Sequence, residues 1–462
     1  MDKNIKPNTG ARLDRLPTSS AQWGLFGMVA FGLLVSWSNA IGGLVLAQLA
    51  EIGWTNNNLS AVFSSLTTAG MFLGAFIGGI IGDRIGRRNS YLLFVAVHIV
   101  SMVVGAFSPN MTFLIVCRVV MGFALGALLV TLFAGFTEYV PSRNRGTWSA
   151  RASFIGNWSY PICSTIAMFI TPAVAPELNW RIQFLIPAGL SAILFAIVFR
   201  KFPESPRWLE SKGRYVEADK IMTDIEKRVE RSIGKPLPPI ELERTDTKIQ
   251  EVQISYSELF KGELLKRVIL GSFVLIAMNV VQYTLINWLP TIFLTQGIDL
   301  KDSVVLNTMS MFGAPIGIFI ATFIIDRIPR KIMGAGLLII IAVLGYFYSL
   351  QTTIMMISIL GFFLITFVYM YVCYASAVYV PEIWPTAAKL RGSGLANAVG
   401  RVSGIAAPYA VAYLLNNAGV TGVFTLLGGV SLATAGIILF LGIETRSASV
   451  EEIGNVIPET KS

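Results

Sequence analysis

Apolar residues run along this chain in stretches far longer than a half-buried strand or a surface helix would need. No Asp, Glu, Lys or Arg occurs between Trp23 and Ala50, and Asn89 to Pro109 is equally free of them. Eighteen or more such residues suffice to cross a bilayer core as a helix. The pattern predicts twelve spans, at about 23–50, 59–81, 89–107, 111–139, 149–172, 180–201, 265–296, 303–325, 332–350, 354–380, 392–415 and 420–443. Between the sixth and seventh lies a polar stretch of about sixty residues. Within it "EADKIMTDIEKRVERSIG" (217–234) has a helical pattern that ends at a glycine, and "SYSE" (255–258) has the spacing of a capping box.

The polar breaks repeat. "GDRIGRR" (82–88) has a near copy in "IDRIPRK" (325–331), and "EYVPSRNRG" from Glu138 has one in "EIWPTAAKLRG" from Glu382. Asp83 and Asp326 are 243 positions apart, Glu138 and Glu382 are 244, and each motif follows an even-numbered span. One offset shared by two motifs predicts an all-α membrane protein of two pseudo-symmetric six-helix bundles. The expected divisions are an N-terminal segment (1–22), a first bundle (23–201), a central loop (202–264), a second bundle (265–443) and a tail (444–462). Secondary transporters are commonly built from such repeats, with the substrate site at the repeat interface.

Composition agrees. Of 462 residues, 54% are hydrophobic and 14% charged, against about 25% charged in soluble domains. The net charge of +9 is placed for topology rather than for nucleic acid. If residue 1 is cytoplasmic, all but Arg118, Arg181, Lys301 and Arg401 of the 36 Lys and Arg fall in or beside cytoplasmic segments. That positive-inside pattern puts both termini and the central loop in the cytoplasm. Residues 1–22 precede a run too long for a cleaved signal, which is expected to stay as the first span. Cys117, Cys163 and Cys373 lie in apolar runs without CxxC spacing and read as small hydrophobes.

The paired acids in the repeated turns need an explanation, because a helix C-terminus disfavours them. Asp83, Glu138, Asp326 and Glu382, with Arg84, Arg87, Arg88, Arg145, Arg327, Arg330 and Arg391, are predicted to form a cytoplasmic gate of reversible ion pairs. Topology alone would require the arginines but not the acids.

These residues carry a family resemblance. "GDRIGRR" resembles the loop signature of the major facilitator superfamily. "RVVMG" (118–122), "PESPRWL" (203–209) and "ETR" (444–446) resemble marks of its sugar-porter and organic-ion branches. "GSGLANAVGRVSGIAAP" (392–408) resembles helix 11 of the organic-ion and synaptic-vesicle-like branches. The resemblance covers nearly the whole chain, is closest to bacterial inner-membrane metabolite transport proteins, and implies the twelve-helix fold with alternating-access transport. It also marks departures. "PTIF" stands at 290–293 as in sugar porters, but Ala277, Met278 and Tyr283 replace their Gln-Gln pair and Asn, and Ala377 stands at their helix-10 Trp. A plain hexose is therefore disfavoured.

Ionisable groups at membrane depth are costly and mark function. Arg118 lies about seven residues into the fourth span and Arg401 about ten into the eleventh. In the resembling families the first faces an acid on helix 1, where this chain has Ser38 and Asn39. The Arg401 slot resembles a charge selector, with Arg in anion carriers. Two deep arginines with no mid-span acid suit a carboxylate. A structural alternative has Arg118 bonding helix-end carbonyls and Arg401 pairing with Glu138. Asn157, Trp158, Gln282, Tyr283, Asn287 and Tyr374, with Asn39 and Trp37, complete the candidate substrate site. His98, the sole histidine, is the proton-coupling candidate, with a hydrogen-bonded structural role as its alternative.

Rival classes fit less well. The chain has no GxxxxGK[ST] loop, no HExxH, and no Ser/His/Asp set that avoids a mid-span histidine, so an enzyme or ATP-driven pump is not expected, nor a metal or cofactor. Channels favour rings contributed by subunits, and no extended signalling domain suggests a sensor. The expectation is a monomer-competent, multi-pass carrier in the bacterial cytoplasmic membrane. Its cargo reads first as an organic acid or sugar acid, with proton coupling open, and second as a neutral sugar or polyol.

Overall fold

Every apolar run folds as helix. The computed structural model describes residues 8–35, 37–141, 145–240, 255–385 and 388–446. Expectations for 1–7, 142–144, 241–254, 386–387 and 447–462, and for the Trp37 side chain, lie outside the described residues. A short α1 (Thr9–Asp14) precedes α2 (Ser20–Leu34) and α3 (Trp37–Glu51), which share the first span. The next spans are α4 (Asn57–Ile85), α5 (Arg87–Ala106), α6 (Met111–Thr137), the pair α7 (Arg145–Asn157) and α8 (Ser159–Ile170), and α9 (Pro176–Lys201). Polar helices α10 (Pro206–Ser211) and α11 (Tyr215–Ile233) follow. The chain continues with α12 (Gly262–Thr295), α13 (Leu300–Met311) with α14 (Gly313–Ile324), α15 (Arg330–Ser349) and α16 (Ile354–Val372). A π-helical stretch, Cys373–Tyr379, leads into α17 (Val380–Glu382), and α18 (Lys389–Leu441) closes the order.

Ten helical stretches among the described residues are long and apolar enough to cross a membrane, against twelve predicted spans. Two differences account for this. α7 and α8 have 13 and 12 residues, each short of the roughly 20 a crossing needs, and the chain breaks between them at Trp158. α18 has 53 residues, about 80 Å at 1.5 Å per residue, far more than one bilayer. It is interrupted at Gly419 (φ 63, ψ −162), a conformation essentially restricted to glycine, between the spans predicted at 392–415 and 420–443.

The contacts gather the chain into two units. The first comprises 1–39, 66–159 and 180–247; the second comprises 40–65, 160–179 and 248–462. These boundaries do not follow the sequence halves, because they cut through α3, α4 and α9. In the first unit, Phe26, Leu33, Tyr91, Phe94, Leu132, Phe136, Trp148 and Leu194 form a buried core. Beside it α4 meets α6 backbone to backbone: a Cβ on Gly70 or Gly74 would strike the carbonyl of Val119 or Phe123. The second unit repeats the arrangement. Gly313 and Gly317 of α14 meet Phe362 and Thr366 of α16, each residue 243 positions beyond its counterpart. In lipid, where apolar surface alone does not drive helices together, small residues allow the close approach that van der Waals packing needs.

Outside the spans, α1 and α11 bury Leu13, Leu16, Met222, Ile225 and Val229 between them. α11 ends at Gly234 in the left-handed conformation (φ 66), the stop expected from the sequence. In "SYSE", Glu258 accepts from the Ser255 backbone N–H at 2.8 Å, but the helix there is one 3₁₀ turn, Glu258–Phe260. The three cysteines are free.

Candidate functional site

The repeated turns build two matching clasps. In the first unit, Arg87 opens α5 and donates from Nε (3.0 Å) and Nη2 (2.7 Å) to Glu138 Oε1 at the end of α6. Its Nη1 reaches Asp83 of α4 at 2.8 Å. In the second unit, Arg330 opens α15, meets Glu382 at 3.0 Å and Asp326 at 3.1 Å, and is almost wholly buried. Each clasp thus ties three helix ends within one unit.

A further acid in each clasp had no role predicted for it. Glu204 Oε1 accepts from the backbone N–H groups of Arg87 (2.6 Å), Arg88 (3.1 Å) and Ser205 (2.9 Å). Glu444 accepts from those of Arg330 (2.9 Å), Lys331 (3.3 Å) and Arg446 (3.1 Å). Both carboxylates therefore sit at helix N-termini, where orphan N–H groups and the helix dipole favour an anion. The Tyr139 hydroxyl donates to Pro203 O (2.9 Å), beside Glu204, and the Tyr379 hydroxyl to Ile443 O (3.2 Å), beside Glu444. The signal was present in the sequence, since "PES" and "ETR" each place Glu after the last span of a half.

The side chains of the other predicted gate residues stand apart from the clasps. Arg84 and Arg327 are exposed. Arg88 donates to Phe199 O (2.7 Å) and lies over the Phe199 ring, and Arg145 donates to Thr137 O (3.0 Å). Arg391 stacks on Tyr256. Position explains this: Arg87 and Arg330 occupy the first turn of their helices, facing the neighbouring helix ends, whereas their neighbours in sequence point about 100° away.

At depth in the first unit, Arg118 is fully buried, donates from Nη1 to Ser38 O (2.6 Å), and lies over the Phe184 ring. Ser38 follows the break between α2 and α3, so this cation bonds a helix-end carbonyl. His98 is also fully buried, with Nε2 2.8 Å from Ser38 Oγ and Nδ1 3.1 Å from Ser191 Oγ. Ser38 stands where the resemblance placed the residue facing Arg118, but its bond to His98, and Ser191, were not predicted, because a serine in a span carries no pattern that names its partner. Asn39 is buried beside Ser38. Asn157, at the end of α7, bonds its own helix through Ser153 O (2.8 Å) and is half-buried, as is Trp158.

In the second unit, Gln282 and Tyr283 of α12 are half-buried and lie within electrostatic reach of Tyr369. The Tyr369 ring packs against Tyr160 of α8 at 5.7 Å. α18 lies against this stretch of α12, with Gly404 facing the Tyr283 ring and Gly400 facing Asn279. Arg401 lies between those glycines, half-buried, with no ion pair among the described residues. Thr284, Trp288 and Thr291 form one stripe of α12, each with a buried polar atom lacking a hydrogen-bond partner among the described residues. Asn287 is buried where α12 crosses Gly43 of α3. Tyr374 stands elsewhere: it lies in the π-helical stretch, stacks on Tyr379 at 5.0 Å, and faces Gly334, one turn from Arg330.

Known proteins resemble this chain. The family model described as "Sugar (and other) transporter" matches residues 25–457. YdjK of Escherichia coli (strain K12), named provisionally as a metabolite transport protein, is 69% identical over 98% of both chains. The "Inner membrane metabolite transport protein YdjE" of the same organism is 44% identical over 97% of this chain and 98% of its own. Among solved structures, a partially occluded, inward-open conformation of the E. coli xylose transporter XylE superposes with a TM-score of 0.73. That match has 16% identity and covers 93% of this chain and 100% of that one. The chain belongs to the sugar (and other) transporter family of the major facilitator superfamily, and it is a multi-pass inner-membrane secondary transporter of a metabolite, not an enzyme.

Proposed function

We propose that the metabolite is a small organic acid or sugar acid, carried by alternating access of the two six-helix halves, with both termini and the central loop in the cytoplasm. The observation that supports this most is Arg401: a cation in mid-span, half-buried, lying in sequence between two glycines of α18 that face α12, and without an ion-pair partner among the described residues. A guanidinium so placed offers a fork to a carboxylate, and Gln282, Tyr283 and Tyr160 supply neutral polar groups for the rest of a small solute. Importing an anion against a negative interior costs about 2.3 kcal/mol per charge per 100 mV, which a co-transported proton offsets. His98 is the residue proposed to bind that proton. The charge distribution of the loops supports the orientation.

Thermal stabilisation of the purified protein by a panel of carboxylates, sugar acids, sugars and polyols tests the reading. A carboxylate is expected to stabilise the native protein and to lose that effect in Arg401→Ala, with partial retention in Arg401→Lys. Stabilisation by uncharged polyols alone, indifferent to Arg401→Ala, refutes it. The neutral sugar or polyol reading draws on Thr284, Trp288 and Thr291, whose unpartnered groups suit a hydroxyl-rich ligand.

A further inference from the structure

A cavity lies within the first unit, apart from the deep polar residues. α2 and α9 flank this cavity of about 500 Å³, and α11 contributes one residue to it. Its walls divide by chemistry. Gly24, Leu25, Gly27, Met28 and Phe31 form one face of α2, and Ile197 begins the matching face of α9. Arg200, Lys201 and Arg228 close the remaining side. The three cations are exposed, and among the described residues no carboxylate lines the cavity.

Two features argue against an accidental crevice. Glycine in a helix interior costs up to about 1 kcal/mol relative to alanine, yet a Cβ on Gly24 or Gly27 would meet nothing within 4 Å. Packing does not require these glycines; their effect is to leave the groove open. The level is also that of a membrane interface: α9 ends at Lys201, α2 begins at Ser20, and the neighbouring Trp23 is 47% exposed, as interfacial tryptophans commonly are.

We propose that this groove binds an anionic phospholipid of the surrounding membrane. The phosphate sits among Arg200, Lys201 and Arg228, and the upper acyl chain lies over Gly24 and Gly27 against Met28, Phe31 and Ile197. Basic pockets between membrane helices recognise acidic headgroups in this way, each cation contributing about 1 kcal/mol, or about fivefold in affinity. Arg228 belongs to the polar helix α11, so the lipid bridges the spans to the helices outside them.

Native mass spectrometry of the full-length protein, titrated in detergent with phosphatidylglycerol or phosphatidylcholine, tests the proposal. Phosphatidylglycerol is expected to bind preferentially, Arg228→Gln to weaken it about fivefold, and Gly27→Leu to weaken it while leaving every charge in place. A diffuse basic surface would be indifferent to Gly27→Leu, and that result overturns the groove. Equal binding of the two lipids, full affinity in Arg228→Gln, or displacement by millimolar inorganic phosphate overturns it as well, the last by making free phosphate the ligand.

Discussion

Substituting Glu138 by glutamine separates the two acids that hold Arg87. The Arg87–Glu138 pair is about four-fifths buried, whereas the Asp83 side chain is 72% exposed. A hydrogen bond to a charged group is worth about 1.5–3 kcal/mol, and an exposed pair about 0–1. Glu138→Gln keeps the shape, removes the charge from two donor contacts, and leaves Arg87 with its exposed partner. The expected loss is about 2 kcal/mol, after discounting for the remaining solvent. Asp83→Asn should cost about 0.5 kcal/mol or less. The duplication supplies an internal replicate: Glu382→Gln, at a carboxylate that also accepts from Thr445 Oγ1 (2.6 Å), should exceed Asp326→Asn, whose side chain is 83% exposed. Thermal unfolding of the detergent-solubilised protein, followed by tryptophan fluorescence, measures all four, and an Arg87→Gln/Glu138→Gln cycle isolates the coupling. Equal losses for the two acids of one clasp would refute the assignment. So would a Glu138→Gln protein of unchanged stability.

Three other outcomes follow from the geometry. Glu226 accepts from Arg12 and Arg15, and despite a burial that opposes its charge, these bonds hold its carboxyl below the usual carboxylate range. Its contribution is therefore complete above about pH 4.5 and fades as pH falls through the lowered value. Protection of the amides of residues 9–16, measured against their intrinsic exchange rates at each pH, should fall in acid, and be low already at neutral pH in Glu226→Gln. Gly74→Ala and Gly317→Ala place a methyl against the Phe123 and Thr366 carbonyls. Each should destabilise by about 1–3 kcal/mol or more, and normal melting of either variant would refute the backbone contact. At His98, the Ser38 and Ser191 hydroxyls also bond the Val35 and Pro187 carbonyls, so each serine best accepts from the ring. Nitrogen NMR of the single histidine should find the proton on Nε2 in Ser191→Ala and on Nδ1 in Ser38→Ala; one tautomer in both would refute the frame.

Much of the architecture is legible along the chain, because a bilayer reads hydrophobicity almost one segment at a time. Backbone groups in lipid must bond within their own helix, so a run such as 89–107 declares its fold without reference to the rest. The offset of 243–244 is read from the chain just as directly, and it located Asp83, Arg87 and Glu138 together with Asp326, Arg330 and Glu382. It did not separate Arg87 from Arg84 and Arg88, since the choice depends on which residue opens α5 and where Glu204 caps that opening.

The depth residues mark the boundary between the two kinds of information. The sequence places Arg118, His98 and Arg401 within apolar runs that hold no mid-span acid, and charge in hydrocarbon is expensive wherever it falls. The partners seen for the first two belong to other helices: Ser38 for Arg118, and Ser38 and Ser191 for His98. A periodic pattern shows which face of a helix is apolar but not which neighbour meets it or at what height. Sequence by itself therefore determined the spans, their duplication and the cost of each deep charge. Tertiary structure decided how those charges are bonded, since hydrogen bonds form over about 3 Å between residues that chain order leaves scores of positions apart.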